Sequence, residues 1–364
     1  MSKNYLSFSM GSEYGKILPT NVSLKNDKHR DYAGYSLQIL KQTSGKNNWG
    51  RRFNDPQYGI GIFAFDFVEN RKMGRPFGIY GIYNTKIRQW GHLKWYHNVN
   101  FGISFNSNRF DTDRDYHNIS LGSKTNMFIS LGTGMYYELD KHFDVGLHVK
   151  FNHLSNGALQ MPNKGLNMIS SQLSLVYHPD RAVIGKSGIV SADYKKSDHI
   201  EVSAFGGRKK VFYKGDHRED LKLYQGFNYS VYGTEVFYMR RYSPKSAYGI
   251  GMGMTMDEHY NHTMYVSDKA LYQKKRFSND QLLLSIIPIY RLMMGRLYLN
   301  IGAGYYVLKK QRKYDNSIFF QKIGLQCQIT DRFFASFGIN AYDLHAANYL
   351  EWKLGYTFSK KVRN

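Results

Sequence analysis

The stretch Phe143-Asp-Val-Gly-Leu-His-Val-Lys-Phe151 alternates without a break. Phe143, Val145, Leu147, Val149 and Phe151 share one parity, and Asp144, Gly146, His148, Lys150 and then Asn152 share the other. Successive side chains of a strand point to opposite faces, so this run is a strand with one apolar and one polar face. The pattern recurs. Leu297, Leu299, Ile301, Ala303 and Tyr305 oppose Tyr298, Asn300, Gly302 and Gly304, and Ile323, Leu325, Cys327 and Ile329 oppose Lys322, Gly324, Gln326 and Gln328. A soluble β-sandwich or a lipocalin-like barrel turns such an apolar face inward. Glycine and polar groups on every opposite face favour the reverse arrangement, a polar interior and an apolar exterior, which is what lipid requires.

Working outward, about sixteen runs of this kind are found. In the first half they begin near Tyr5, Tyr32, Tyr58, Phe77, Leu93, Asn126, Phe143 and Asn167. In the second they begin near His199, Leu223, Tyr248, Leu282, Leu297, Ile318, Phe333 and Tyr349. Tyr58-Gly-Ile-Gly-Ile62 returns as Tyr248-Gly-Ile-Gly-Met252, an offset of 190 residues (248 − 58), which also carries Asn126 onto Asn316, Gly134 onto Gly324 and Phe143 onto Phe333. The fold class expected is all-β: an antiparallel transmembrane β-barrel built as two eight-stranded repeats, forming either two barrels or one large one. Residues 1–178 form the first unit, 179–198 a polar linker with Asp180, Arg181, Lys186, Lys195 and Lys196, and 199–364 the second unit. An even strand count places that linker on the periplasmic side, where turns are short, so its length favours two barrels.

Composition agrees. Tyr (31), Phe (23) and Gly (34) are abundant and Pro (7) is scarce, a mixture that suits strands. Mean hydropathy is −0.52, and no apolar run is long enough for a transmembrane helix. The single Cys327 excludes an internal disulfide and a cysteine metal site. The formal charge of +22 is spread through turns and loops rather than gathered in one run; a phosphorylated lipid surface explains it as well as nucleic acid does, and no nucleic-acid partner is expected. The start, Met-Ser-Lys-Asn-Tyr, enters a strand at once and shows no secretory signal. Because such a barrel needs export, the signal is expected to have been removed or the start codon to have been placed late.

The Phe143 strand runs on into His153-Leu-Ser-Asn-Gly157, then Ala158-Leu-Gln-Met-Pro-Asn-Lys-Gly165, and the next strand opens with Leu166 and Asn167. His153 and Ser155 lie on the lipid-facing parity of Val149 and Phe151, and Asn167 lies on that of Ile169, Ser171 and Leu173. Polar groups facing lipid are costly unless they are paired or sit at the interface. Acyl transfer gives these three a purpose. Ser155 attacks an ester carbonyl, His153 takes the hydroxyl proton and returns it to the leaving alcohol, and Asn167 orients the imidazole as Asn does in Cys-His-Asn proteases. Asn156 and the amides near Gly157 and Ala158 are the expected oxyanion donors. Asp144 is on the opposite face and cannot replace Asn167.

His153-Leu-Ser155-Asn156 followed by Pro162-Asn163-x-Gly165-x-Asn167 resembles the active-site segment of the lipid A 3-O-deacylase family (acyloxyacyl hydrolase-like, PagL-type). The resemblance implies an eight-stranded outer-membrane barrel that removes an ester-linked acyl chain from lipid A. It makes His153 the general base, Ser155 the nucleophile and Asn156 an oxyanion donor, with no cofactor or metal and lipopolysaccharide as the partner. The family carries Glu where this chain has Asn167. Glu both orients the histidine and stabilises its charged form, whereas Asn only orients it. Under the repeat offset, His153 and Ser155 fall on Asp343 and His345 and the Pro-Asn-x-Gly loop is absent, so the second unit is read as lacking catalytic residues.

The alternative is an inactive outer-membrane barrel, a channel or adhesion protein, that keeps the motif as a relic. A phospholipase-type barrel would add an acidic metal cluster. Asp111, Asp113 and Asp115 do cluster, and they are read as a solvated loop.

Overall fold

The computed structural model describes residues 5–19, 22–25, 28–43, 55–67, 73–111, 118–181, 196–211, 227–267, 270–275, 278–310, 317–342 and 346–359. Chain packing divides it into two compact units, residues 1–156 with 162–191, and residues 157–161 with 192–364.

The first unit is a closed barrel of eight antiparallel strands. These are β1 (Tyr5–Ile17), β2 (Asp31–Gln42), β3 (Gln57–Asp66), β4 (Gly74–Trp90), β5 (Leu93–Ser107), β6 (Asn126–Glu138), β7 (Phe143–Ser155) and β8 (Leu166–Tyr177). Closure comes from β1 pairing with β8, in register from Phe8 with Tyr177 to Ile17 with Met168. No strand edge is left open to lipid, where an unpaired backbone amide would be costly. Alternation decides which side is out. Along β7, Phe143, Leu147, Val149 and Phe151 are exposed, while Asp144, His148, Lys150 and Asn152 are buried.

The interior differs from expectation in one respect. Its middle is polar: Lys150 Nζ lies 3.0 Å from Glu13 Oε2, and Asn152 Nδ2 and the Tyr32 hydroxyl donate to Glu13 Oε1 at 2.9 and 3.0 Å. Toward the end where β7 finishes, however, the lumen is apolar, filled by Phe63, Phe65, Phe128, Leu121, Leu154 and Leu166 among others. An eight-stranded barrel is only wide enough to be filled by side chains, so aromatic rings replace water there.

The second unit is also a closed antiparallel barrel of eight strands. They are β9 (Ser197–Val211), β10 (Phe227–Arg241), β11 (Ser246–Asp257), β14 (Leu282–Met294), β15 (Leu297–Leu308), β16 (Phe319–Gln328), β17 (Phe333–Tyr342) and β18 (Ala346–Ser359). β18 closes on β9 from Leu350–Arg208 to Ser359–His199. A hairpin, β12 (His262–Ser267) with β13 (Ala270–Lys275), stands outside the barrel sheet and was not expected from the sequence. The expected start of the tenth strand at Leu223, as well as Asp343, His345, Asp113, Asp115, Lys186 and Lys195, lie outside the described residues.

The offset of 190 is visible in three dimensions. β3, β6 and β7 correspond to β11, β16 and β17, the same ordinal strands of their barrels. A turn cap is repeated as well. Asp140 Oδ1 accepts from the backbone N–H groups of His142 and Phe143 at 2.6 and 2.8 Å, and Thr330 Oγ1 accepts from Arg332 and Phe333 at 3.2 and 2.9 Å. These two backbone hydrogen bonds hold the fully exposed Asp140 carboxyl below its ordinary range. Short turns occur at this end, at residues 91–92 and 139–142 of the first barrel and 242–245, 295–296 and 329–332 of the second, as in outer-membrane barrels, with the 43–56 connection of the first barrel a longer exception.

Candidate active site

β7 ends at Ser155 among the longer loops of the first barrel. Leu154 points inward and is fully buried with Leu166 and Phe128, so the apolar plug anchors the backbone between His153 and Ser155. His153 and Asn167 face each other across the β7–β8 ladder. Their side chains meet, with His153 Nδ1 and Asn167 Oδ1 2.5 Å apart. Since the amide oxygen can only accept, Nδ1 carries the proton, and Nε2 is then the nitrogen with a free electron pair.

Ser155 is buried, as is Asn156, and His153 is half-buried. The sequence places Ser155 on a lipid-facing surface. The structure keeps that parity but covers the hydroxyl, because the regular exposed–buried alternation of β7 stops at Leu154. The loop folds back over the strand end. Asn163 Nδ2 donates to Ser155 Oγ at 2.9 Å, and Asn163 Oδ1 accepts from the Asn156 backbone N–H at 3.3 Å. The loop is itself pinned, with Lys164 N–H donating to Ile119 O at 3.1 Å and Gly165 N–H to Ser120 O at 2.9 Å.

Gly165 is required twice over. Its φ is +74°, and a Cβ there would lie 2.8 Å from His153 Cε1. A Gly165→Ala variant is therefore expected to push the imidazole out of line and to cost about a hundredfold in kcat, since a displacement near 1 Å is enough for that. Turnover measured beside an unchanged circular dichroism spectrum checks it; a variant with native turnover would show that the contact is slack.

Gly157 and Ala158 both adopt left-handed backbone, at φ 64° and 68°, and belong with Leu159 to Met161 to the second compact unit. Ala158 pays for a conformation that β-carbons disfavour, a form of strain that concentrates at functional sites. The structure thus bonds His153 to Asn167 across the β7–β8 pair and places Ser155 two residues further along β7, with Asn156 just past the strand end. It adds Asn163, to which sequence reasoning assigned no role although it stands in the Pro-Asn-x-Gly run. Asp144 lies inside the barrel as expected, bound to Arg181 at 2.6 Å and to His178 at 3.0 Å. No group of three or more His, Cys, Asp or Glu residues able to hold a metal occurs among the described residues.

Two closed antiparallel barrels with apolar exteriors define a membrane-spanning β-barrel protein. Residues 33–176 match the family model described as lipid A 3-O-deacylase (PagL), and residues 198–361 match that of the acyloxyacyl hydrolase, C-terminal domain. Together the models run through both barrels, and the chain belongs to this PagL-like family of lipid A deacylases. The second unit thus has a family model of its own. No curated protein is matched by sequence.

Among solved structures, Neisserial surface protein A is similar at 11% identity and a TM-score of 0.32, over 47% of this chain and 96% of that one. The Acinetobacter baumannii outer membrane protein Omp33 is similar at 9% identity and a TM-score of 0.17, over 98% and 99%. The CymD monoaromatic hydrocarbon channel is similar at 8% identity and a TM-score of 0.22, over 99% and 89%. These are remote likenesses, and the family assignment stands on the two models.

Proposed function

We propose that the first barrel hydrolyses an ester-linked acyl chain of lipid A by a Ser155–His153–Asn167 mechanism in the outer membrane. The observation that carries this reading is the Asn167–His153 hydrogen bond at the head of the strand that bears Ser155. His153, held with its proton on Nδ1, takes the Ser155 hydroxyl proton at Nε2 as the oxygen attacks the ester carbonyl. The tetrahedral intermediate carries an oxyanion. Asn163, whose Nδ2 already reaches Ser155 Oγ, is one donor for it, and the Asn156 side chain, next in the chain to the nucleophile, is another. The Asn156 backbone N–H, by contrast, is engaged by Asn163 Oδ1. The amides of Gly157 and Ala158 remain further candidates for that role. Collapse expels the sugar alcohol, protonated by His153, and water then releases the fatty acid by the same steps in reverse. The +22 charge supports a phosphorylated partner such as lipopolysaccharide, because Lys and Arg bind such headgroups strongly.

Expression in an outer membrane followed by mass spectrometry of lipid A tests the reading. Wild type is expected to remove one acyl chain and Ser155→Ala none; identical spectra would sink it. Asn163→Ala is expected to lower kcat by about a hundred- to a thousandfold with KM little changed, the usual effect of losing one oxyanion donor. A rise in KM alone would make Asn163 a binding residue.

A further inference from the structure

The outer wall of the second barrel carries an open furrow along β9. The outward residues of that strand, counted from the short-turn end, are Ile200, Val202, Ala204, Gly206 and Arg208. β18 sets Trp352 beside Gly206 and Leu354 beside Ala204, and β10 sets Tyr232 and Thr234 at the same two levels on the other side. Trp352 and Leu354 are 67% and 68% exposed, and Tyr232 is 48% exposed. The Trp352 ring packs away from β9, against Phe337 of β17 at a centroid distance of 4.4 Å. β18 and β10 lie about 10 Å apart across β9, so these walls leave a slot one acyl chain wide.

Packing does not require Gly206 to lack a side chain, because a Cβ there would meet no atom within 4 Å. The first barrel shows the alternative. Tyr14 and Lys16 stand at the same steps along β1 as Gly206 and Arg208 along β9, and the Tyr14 ring fills its level of the wall. The cations differ as well. Lys16 has Asp31 of β2 beside it, 3.7 Å away. Arg208 has Ser230 of β10 in that place. It is exposed, and its side chain makes no hydrogen bond or ion pair among the described residues. A charge at a lipid-facing position is costly unless it is paired or sits at the interface, and a guanidinium pairs strongly with phosphate. Arg208 lies toward the end of β9 away from the short turns, which is the side of the outer leaflet.

We propose that this furrow is a second, non-catalytic binding site for lipid A. One acyl chain lies over Gly206 and Ala204 between Trp352 and Tyr232, and a phosphate of the headgroup meets Arg208. The inference rests on the reading of lipid A as the partner of this chain, and not on the chemistry at Ser155.

Quenching of Trp352 fluorescence by lipid A with brominated acyl chains tests the assignment. The full chain is used in detergent micelles, with Ser155→Ala to keep the ligand whole and with the other three tryptophans changed to Phe. Saturable quenching is expected. Gly206→Leu, which fills the slot, and Arg208→Ala are each expected to raise the half-quenching concentration at least tenfold. Lipid A stripped of its phosphates is expected to bind the unvaried furrow as weakly as intact lipid A binds Arg208→Ala. Quenching that grows linearly with lipid and ignores both variants overturns the proposal and leaves an ordinary lipid-facing wall. Equal quenching by brominated phosphatidylglycerol overturns the choice of lipid A. Hydrolysis is assayed separately on the chain with Ser155 intact. Hydrolysis without saturable quenching removes the furrow and keeps the proposed activity, and saturable quenching without hydrolysis removes only the activity.

Discussion

Replacing Asn167 by Ala is expected to lower kcat by about ten-thousandfold while KM stays within a few-fold, because the residue acts on His153 and not on the substrate. The amide oxygen that now accepts from Nδ1 holds the imidazole in one tautomer and one rotamer. Without it, the ring also populates the tautomer with its proton on Nε2, which cannot take a proton from Ser155, and it rotates away from the nucleophile. Asn167→Glu gives the complementary result. A carboxylate orients the ring equally well and stabilises the imidazolium formed in the transition state, so the rate is expected to rise. Steady-state kinetics of the two variants against wild type decide the matter. An Asn167→Ala enzyme with undiminished kcat would remove Asn167 from the mechanism.

The second large effect concerns stability. Glu13 receives Lys150, Asn152 and Tyr32 in the middle of the first barrel, where the side chains of Glu13 and Lys150 are 3% and 6% exposed. Glu13→Ala strands a buried ammonium and is expected to destabilise by about 3–5 kcal/mol. Exchanging both charges, Glu13→Leu with Lys150→Met, is expected to recover most of that loss, since a buried pair is worth little against an apolar pair of the same volume. Denaturant midpoints in detergent micelles, converted with a common slope, provide the measurement. If the double variant is as unstable as the single one, the pair itself contributes net stability and the argument fails.

The strands were legible because lipid enforces the alternation that reveals them. Thirteen of the sixteen expected starts (Tyr5, Tyr32, Tyr58, Leu93, Asn126, Phe143, Asn167, His199, Tyr248, Leu282, Leu297, Ile318 and Phe333) fall within two residues of the observed ones. Where lipid imposes nothing, the signal failed. The β12–β13 hairpin lies outside the barrel sheet, so its six-residue strands need no lipid-facing stripe. The aromatic plug was missed because alternation was read as apolar against polar, whereas Phe63 and Phe65 sit on the inward parity of β3 beside outward Ile60 and Ile62. In the site, His153, Ser155 and Asn167 were found by parity, a local property. Asn163 was not, because its bond to Ser155 depends on how the loop from Gly157 to Gly165 folds back, pinned by Ile119 and Ser120 more than forty residues away in the chain.

The odd-numbered face of β7 carries Val149, Phe151, His153 and Ser155 in a single file from the apolar wall to the proposed nucleophile. A site at the end of that file, roofed by the loop that carries Asn163, opens toward the bilayer side of the barrel wall, so a substrate embedded in the same leaflet is expected to arrive by lateral diffusion without crossing water. Its encounter rate then scales with the mole fraction of substrate in the surface rather than with bulk concentration. Diluting the lipid with inert detergent slows the reaction even when the amount of substrate per volume is held constant.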